Sequence, residues 1–286
     1  MEETRDTAAS DPMSCERHPW NSDMQWRPPR EPRTITVEQA EAFQHDGFFV
    51  MENVFSATEL AELDEALEPG NERVAELLAQ LPDGRISVAG VDTQLVTPNQ
   101  VGATGVLIDT CRHRTLAGVC ADLVGPDVRL YWEQAVYKQP RSVAPVLWHQ
   151  DNGYTYVEPQ AYLTCWIAIT DATRDNGCVR VAPGVHREGT LVHRSTEFGQ
   201  ECWGDESGAV EVPVPAGDVV VFSSLTPHTT GVNRTDDVRK SYIVQYTPDG
   251  AEVLEGAPPA APTRRRRLDD PVLNAWVVRD GEPVDG

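Results

Sequence analysis

Lysine is almost missing from this chain of 286 residues: of its 24 basic residues only Lys138 and Lys240 are lysine, against 45 acidic ones. The resulting formal charge of −21 argues against DNA, RNA or another polyanion as a partner, because such affinity comes from Lys and Arg neutralising phosphates. Nor is there an apolar run of the roughly 18–20 residues that a membrane-spanning helix needs. The six cysteines, Cys15, Cys111, Cys120, Cys165, Cys178 and Cys202, lack the paired short spacings of a zinc site or a disulfide framework, which fits a reduced, cytoplasmic setting. A glycine fingerprint for nucleotides and an internal repeat are both missing. What is left is the expectation of a soluble protein, with neither nucleic acid nor membrane as partner.

The chain divides into three stretches by composition. Residues 1–33 are polar, with no apolar core stretch, and read as a flexible arm rather than a secretory signal. Residues 34–250 read as one domain. Residues 251–286, beginning near the Ala/Pro-rich "EGAPPAAPT" and the run Arg264 to Arg267, read as a tail. Within the domain, Thr36 with Gln39 and Ser56 with Glu59 form two capping-box patterns, each followed by helical periodicity, and Gly47 supplies a stop for the first helix. Leu60, Leu63 and Leu67 fall on one face of the second. Residues 84–106, rich in Gly, Thr, Asn and Gln, read as a long loop, and "CRHRTLAGVCADLVG" as one more amphipathic helix. From residue 128 the pattern changes to short β-type runs: "VRLYWEQAVYK", "YLTCWIAIT", "CVRVA", "AVEVPV", "DVVVFSS" and "RKSYIVQYT". Regular short strands between Pro, Gly, Asp and Asn point to a sandwich or barrel behind a helical start.

The chemistry concentrates around "LWHQDNGY". In an extended chain residues i and i+2 point to the same side, so His149 and Asp151 are placed to share an ion; alone, such a pair is also what a polar strand corner looks like. His228, in "LTPHTTG" after the strand "DVVVFSS", is the candidate third ligand. Two histidines and a carboxylate on one face of an octahedron leave three positions open, the arrangement of non-haem Fe(II) oxygenases. A closed zinc site would want four protein ligands, usually with cysteine. Alternation along "RKSYIVQYT" puts Arg239, Ser241, Ile243 and Gln245 on one face. Arg239 with Ser241 suits bidentate capture of a carboxylate; the bland alternative pairs Arg239 at the surface with Asp236 or Asp237. A non-catalytic binding jelly roll and an oxygen-independent metal isomerase are the rival readings, and neither needs this second carboxylate clamp.

The order His-x-Asp, distant His, Arg-x-Ser resembles the phytanoyl-CoA dioxygenase-like branch of the Fe(II)/2-oxoglutarate oxygenases. The resemblance extends to "HDGFFVMENVFS", "YWEQAVYKQP", "WHQD" and "CWIAITDATRDNGCVRVAPGVH", over roughly residues 36–247. It implies a mainly β fold with flanking helices, a double-stranded β-helix (jelly roll, cupin-like), with iron on His149, Asp151 and His228. It also implies that Arg239 holds the distal carboxylate of 2-oxoglutarate, with Ser241 as companion and Gln134, Trp166 and Thr230 at cosubstrate-contacting positions. The implied reaction uses dioxygen and 2-oxoglutarate to oxidise a C–H bond of a small metabolite, yielding succinate and carbon dioxide. Hydroxylation is the default, with desaturation, epimerisation or ring closure in specialised metabolism as variants. An acyl thioester is the substrate alternative that the family name offers. Asp151 disfavours halogenation, since halogenating relatives carry a small residue there. Val185 stands where the family commonly has serine, which leaves contacts near residues 184–187 open. Substrate contacts are expected from the 84–106 loop, from Asn152, Tyr154 and Tyr156, and from the insert "RSTEFGQECWGDES" with Trp203. Lys138 is expected as a snorkelling surface lysine, with attraction of a carboxylate as the second reading. His18, His45, His113, His186 and His193 take no assigned role, although His186 lies inside a family block.

Overall fold

The computed structural model describes residues 16–22, 31–160, 162–204 and 206–284. Both capping boxes form as expected. Thr36 accepts from the Gln39 amide N–H at the head of the helix Val37–Asp46, which ends at Gly47 in the left-handed conformation (φ 85°) that glycine tolerates. Ser56 and Glu59 exchange the same pair of bonds at the head of Ala57–Ala79. That second helix is longer than its leucine pattern announces, because it runs through Pro69 and on to a buried Leu78. Gly70 lets it pass close to Gln100: a Cβ there would lie 1.6 Å from Gln100 Oε1.

Two antiparallel sheets enclose the interior. The central strands of the larger one run in the order Phe48–Met51, Val219–Ser223, Leu163–Ala168, Arg239–Pro248, Val128–Lys138 and Gln94–Pro98. The smaller consists of Val210–Val212, Val179–Val181 and His228–Thr230. The strands of the large sheet are buried on both faces, and the period of two sorts their side chains. Cys165, Ile167, Val219, Val221, Tyr242 and Val244 turn outward and join Leu60, Leu63, Leu67, Leu107 and Leu116 of the helices in the main core. Trp166, Ala168, Val220 and Phe222 turn inward and meet Val179, Val181 and Val212 of the small sheet. At roughly 1.5–3 kcal/mol for each fully buried aliphatic side chain, the helix-side layer dominates cohesion and leaves the inner layer free to carry polar groups. This is the mainly β, helix-flanked double-stranded β-helix.

Three segments depart from expectation. Residues 84–106 are not one loop: Gln94–Pro98 pairs with Val128–Lys138, and the short strands Ala89–Gly90 and Arg85–Ile86 continue the sheet outward. Residues 251–284 are no tail. Glu252–Glu255 pairs with Arg264–Arg267 and with Val157–Glu158, and Trp276–Arg279 pairs with Val128–Lys138. Their buried Val253, Leu254, Leu268, Val277 and Val278 are few and scattered among Pro, Ala and Arg, which hid them from a composition argument. Of the N-terminal 1–33, residues 1–15 and 23–30 lie outside the described residues, but 16–22 pack on the barrel: the His18 N–H donates to Thr190 O (2.7 Å), and Trp20 Nε1 to Ala260 O (2.7 Å). Among the described residues no helix is long and apolar enough to cross a membrane.

Candidate active site

His149 and His228 face each other across a two-way backbone pair, His149 N–H to His228 O (3.0 Å) and His228 N–H to His149 O (2.9 Å). Their ring centroids are 4.2 Å apart. Asp151 is not in extended chain but opens the short helix Asp151–Tyr154, which swings its carboxylate to 3.7 Å from His228 Nε2. One potential ligand atom from each of the three lies within 4.8 Å of the others. A carbonyl can only accept, so the contacts His149 Nδ1 to Leu147 O (2.7 Å) and His228 Nδ1 to Thr226 O (3.0 Å) fix hydrogen on Nδ1. Each Nε2 is left with a lone pair, the form a metal binds. Burial pushes both imidazoles down to about 4, for His149 with the charge of His228 adding to it, so both are neutral near pH 7. Burial also raises the Asp151 carboxyl, against the opposing pull of His149 and the Thr164 hydroxyl. Thr164 Oγ1 donates to Asp151 Oδ2 at 2.6 Å. Two neutral imidazoles and a desolvated carboxylate on one side of a cavity fit a divalent cation that needs open coordination positions.

That cavity, about 350 Å³, lies between the two sheets and takes in all three residues together with Gln134, Trp166, Thr230 and Arg239. Arg239 is completely buried. Its Nη1 donates to Ser241 Oγ (3.1 Å), while Nε and Nη2 have no partner among the described residues. Its guanidinium lies 5.1 Å from the Trp166 ring centroid. Burial lowers its pKa to about 10, so it stays charged at neutral pH. Surface pairing is excluded, since Arg239 is fully buried and Asp236 bonds Arg141 instead (2.7 Å). Two orphaned donors on a buried cation are costly unless an anion meets them. The planar fork opening into the cavity therefore fits the distal carboxylate of 2-oxoglutarate.

Ser241 has a narrower place than expected. Its hydroxyl accepts from Arg239 and donates to Val136 O (3.1 Å), so it aims the guanidinium and has no hydrogen left to offer a ligand. Lys138 is not a surface residue at all: it is 0 % exposed and stands directly opposite Arg239 in the register. Its Nζ donates to Thr230 Oγ1 (2.9 Å) and to Gly231 O. Burial first, and then the charge of Arg239, lower its pKa to about 6.

Several expected contacts lie elsewhere. Asn152 is tied to Thr190 Oγ1 and the Val157 N–H (both 2.8 Å). Tyr156 packs against His18 and, edge-on, against Trp20, and Trp203 packs edge-on against Trp148. His186 lies under Gly47, its Nε2 3.2 Å from Gln44 O, which makes the "PGVH" block structural. Tyr154 does line the cavity, perpendicular to the His149 ring at 5.1 Å. Val88, Gln94 and Val96 of the 84–106 stretch line it too, as do residues not singled out in the sequence, among them Thr164, Gln245, Tyr131 and Trp132. Thr164 shares a strand face with Trp166, and Gln245 with Arg239, so alternation carried the signal for both. Tyr131 breaks alternation and gave none.

A family model described as phytanoyl-CoA dioxygenase (PhyH) matches residues 43–241. The chain belongs to the phytanoyl-CoA dioxygenase family. Its relatives include the "Probable alpha-ketoglutarate-dependent hypophosphite dioxygenase" of Stutzerimonas stutzeri, 24% identical over 244 residues that cover 77% of this chain and 81% of the relative. Another is the "Methylphosphonate hydroxylase" of Gimesia maris, 26% identical over 220 residues covering 74% and 81%. Among solved structures, the non-heme alpha ketoglutarate dependent carbocyclase SnoK from nogalamycin biosynthesis shares the fold, with a TM-score of 0.67 and 24% identity over 87% of this chain and 100% of that one. As a member of the phytanoyl-CoA dioxygenase family carrying a His-Asp-His cluster, the protein is an Fe(II)- and 2-oxoglutarate-dependent dioxygenase.

Proposed function

We propose that His149, Asp151 and His228 hold Fe(II), that Arg239 receives the distal carboxylate of 2-oxoglutarate, and that the enzyme hydroxylates an unactivated C–H bond of a small molecule of specialised metabolism. The observation that carries this reading is the pair of unpartnered guanidinium donors, buried in the same cavity as the metal-capable triad. When bound, iron, 2-oxoglutarate and dioxygen supply the oxidising power, with succinate and carbon dioxide as coproducts. The residues supply place and dryness. Arg239 fixes the cosubstrate's far end through a planar fork that Ser241 aims and Trp166 flanks. Lys138 holds the Thr230 hydroxyl oxygen, leaving the Thr230 hydrogen free to point at the same carboxylate. Thr164 bonds one Asp151 oxygen, so the other stays available to the metal. Gln134 lines the wall beside them, its Oε1 accepting from Trp132 Nε1 (3.1 Å). The kinship in fold with a carbocyclase of nogalamycin biosynthesis supports a specialised-metabolism setting, in which ring closure or epimerisation would use the same residues.

The test is Arg239→Lys, which keeps the charge and loses the fork. The apparent Michaelis constant for 2-oxoglutarate should rise at least tenfold, with a smaller change for the oxidised substrate. An unchanged cosubstrate constant would remove Arg239 from the clamp.

A further inference from the structure

The cavity continues past the triad to an end that neither metal nor cosubstrate occupies in this reading, and a fault in the sheet shapes it. Leu130 is fully buried in the helix-side core, and Glu133 accepts from the Tyr242 hydroxyl (3.0 Å), whose ring is part of that core. Residues three apart cannot share a face of a regular strand. The pairing shifts between them: Trp132 faces Gln245 and Leu130 faces Tyr246, leaving Tyr131 as an extra, unpaired residue. Such a bulge re-aims a side chain. Here it turns Tyr131 to the side of Trp132, so two consecutive rings line the cavity. Tyr162 meets Tyr131 edge-on at 5.0 Å between centroids, and Tyr154 stands against His149.

Among the described residues no spare charge accompanies these rings. Asp151 and Arg239 are the charged side chains among the cavity's lining residues, and the proposed function commits both. The basic groups of the Arg264–Arg267 strand all face carboxylates: Arg264 to Glu255 (3.4 Å), Arg265 to Glu158 (2.8 Å), Arg266 to Glu255 (3.8 Å) and Arg267 to Asp249 (3.6 Å). Arg85, near the mouth, lies 4.4 Å over the Phe198 ring and donates to Glu197 O. A substrate phosphate entering this end would lose water and gain no free cation from the described residues, which buried charge does not tolerate. The net charge of −21 would also repel it on approach.

We infer that the aromatic end binds an uncharged, ring-bearing organic substrate, and neither a coenzyme A thioester nor a phosphorus oxyanion. The inference rests on the oxygenase reading, because that reading assigns Arg239 to the cosubstrate. Rings of this kind accept flat, neutral bodies by offset or edge contact. The Trp132 indole N–H is already bonded to Gln134, so it is the ring face that Trp132 offers.

The experiment loads the full chain with Ni(II), titrates 2-oxoglutarate by calorimetry, and then adds three probes with one bicyclic body to the saturated protein: 2-naphthalenemethanol, 2-naphthoate and 2-naphthalenemethylammonium. The neutral alcohol should bind at least about tenfold more tightly than either ion. Trp132→Ala and Tyr131→Leu should each weaken the alcohol by about tenfold, so a fold defect in one variant leaves the other to decide. Equal or tighter binding of an ion, binding of none of the three, or indifference of both variants overturns the inference while leaving the oxygenase reading in place. Failure of 2-oxoglutarate itself to bind in the first titration sinks both.

Discussion

The two ends of the cavity are built from the same strands and yet differ in kind. At one end the strands Val128–Lys138 and Arg239–Pro248 pair in perfect register, setting Lys138 directly opposite Arg239 with no carboxylate bonded to either. At the other the register slips and two aromatic rings enter side by side. Regular pairing is what buries two basic side chains reproducibly, because each backbone bond of the ladder holds its side chain's direction. Irregular pairing widens the repertoire of directions where a substrate of particular shape must fit. The guanidinium thus stands where the register is regular, and the two consecutive rings where it slips.

Removing the metal-capable residues should erase the difference altogether. His149→Ala, Asp151→Ala and His228→Ala are each expected to abolish substrate-dependent succinate release while circular dichroism still reports a folded β protein, since none of the three belongs to the main core. Full activity in the His228 variant would disprove the triad. Next in size comes Arg239→Ala at the charged end. Two charge-assisted hydrogen bonds lost without replacement should weaken 2-oxoglutarate by roughly 10- to 100-fold, measured by calorimetry on metal-loaded protein, and leave 2-oxobutyrate, which lacks the distal carboxylate, nearly unaffected. Thr164→Val removes the hydroxyl that orients Asp151 and should lower metal affinity by about tenfold, read by competition with a chelator. Leu63→Ala, on the helix side, serves as the converse: about 2–5 kcal/mol of stability lost in urea unfolding, with the affinity for 2-oxoglutarate unchanged.

The smallest effect is a pH dependence away from the chemistry. Burial pushes His186 down to about 4, so the folded protein binds fewer protons than the unfolded chain between that value and the ordinary 6.5. Its contribution to stability is complete above pH 6.5 and is lost as the pH falls towards 4. His186→Gln should flatten that part of the stability profile of the apoprotein, measured by chemical denaturation at stepped pH. An unaltered slope would place the titration elsewhere.

Much of this was written in local patterns. The capping boxes at Thr36 and Ser56 are contacts within one turn, and they can be read wherever the residues stand three apart. The two-residue period puts Arg239, Ile243 and Gln245 on one strand face, and that is the face turned to the cavity. The triad was legible because its members belong to blocks with a fixed order along the chain. What escaped depends on distant partners. Lys138 looks like any strand-end lysine until Thr230 and Gly231, more than ninety positions on, are seen to close over it. Gln94–Pro98 becomes a strand only because Val128–Lys138 offers it an edge. The buried valines beyond residue 251 are too few to form a hydrophobic pattern, yet they have a place beside Val157 and Val128. The bulge at Tyr131 arises from the mismatch between two strands and is a property of neither one.

The central claim is that one cavity holds both an open metal site and a clamp for an oxo-acid beside it. Its most direct measurement is an anaerobic titration of the Fe(II)-loaded protein with 2-oxoglutarate, followed by visible absorption. Chelation of the metal through the keto and carboxylate oxygens predicts a weak charge-transfer band that succinate, lacking the keto group, does not produce. Asp151→Ala and Arg239→Ala should weaken or lose the band at modest cosubstrate concentration. A blank spectrum from wild-type protein with confirmed iron loading and saturating 2-oxoglutarate would contradict the account.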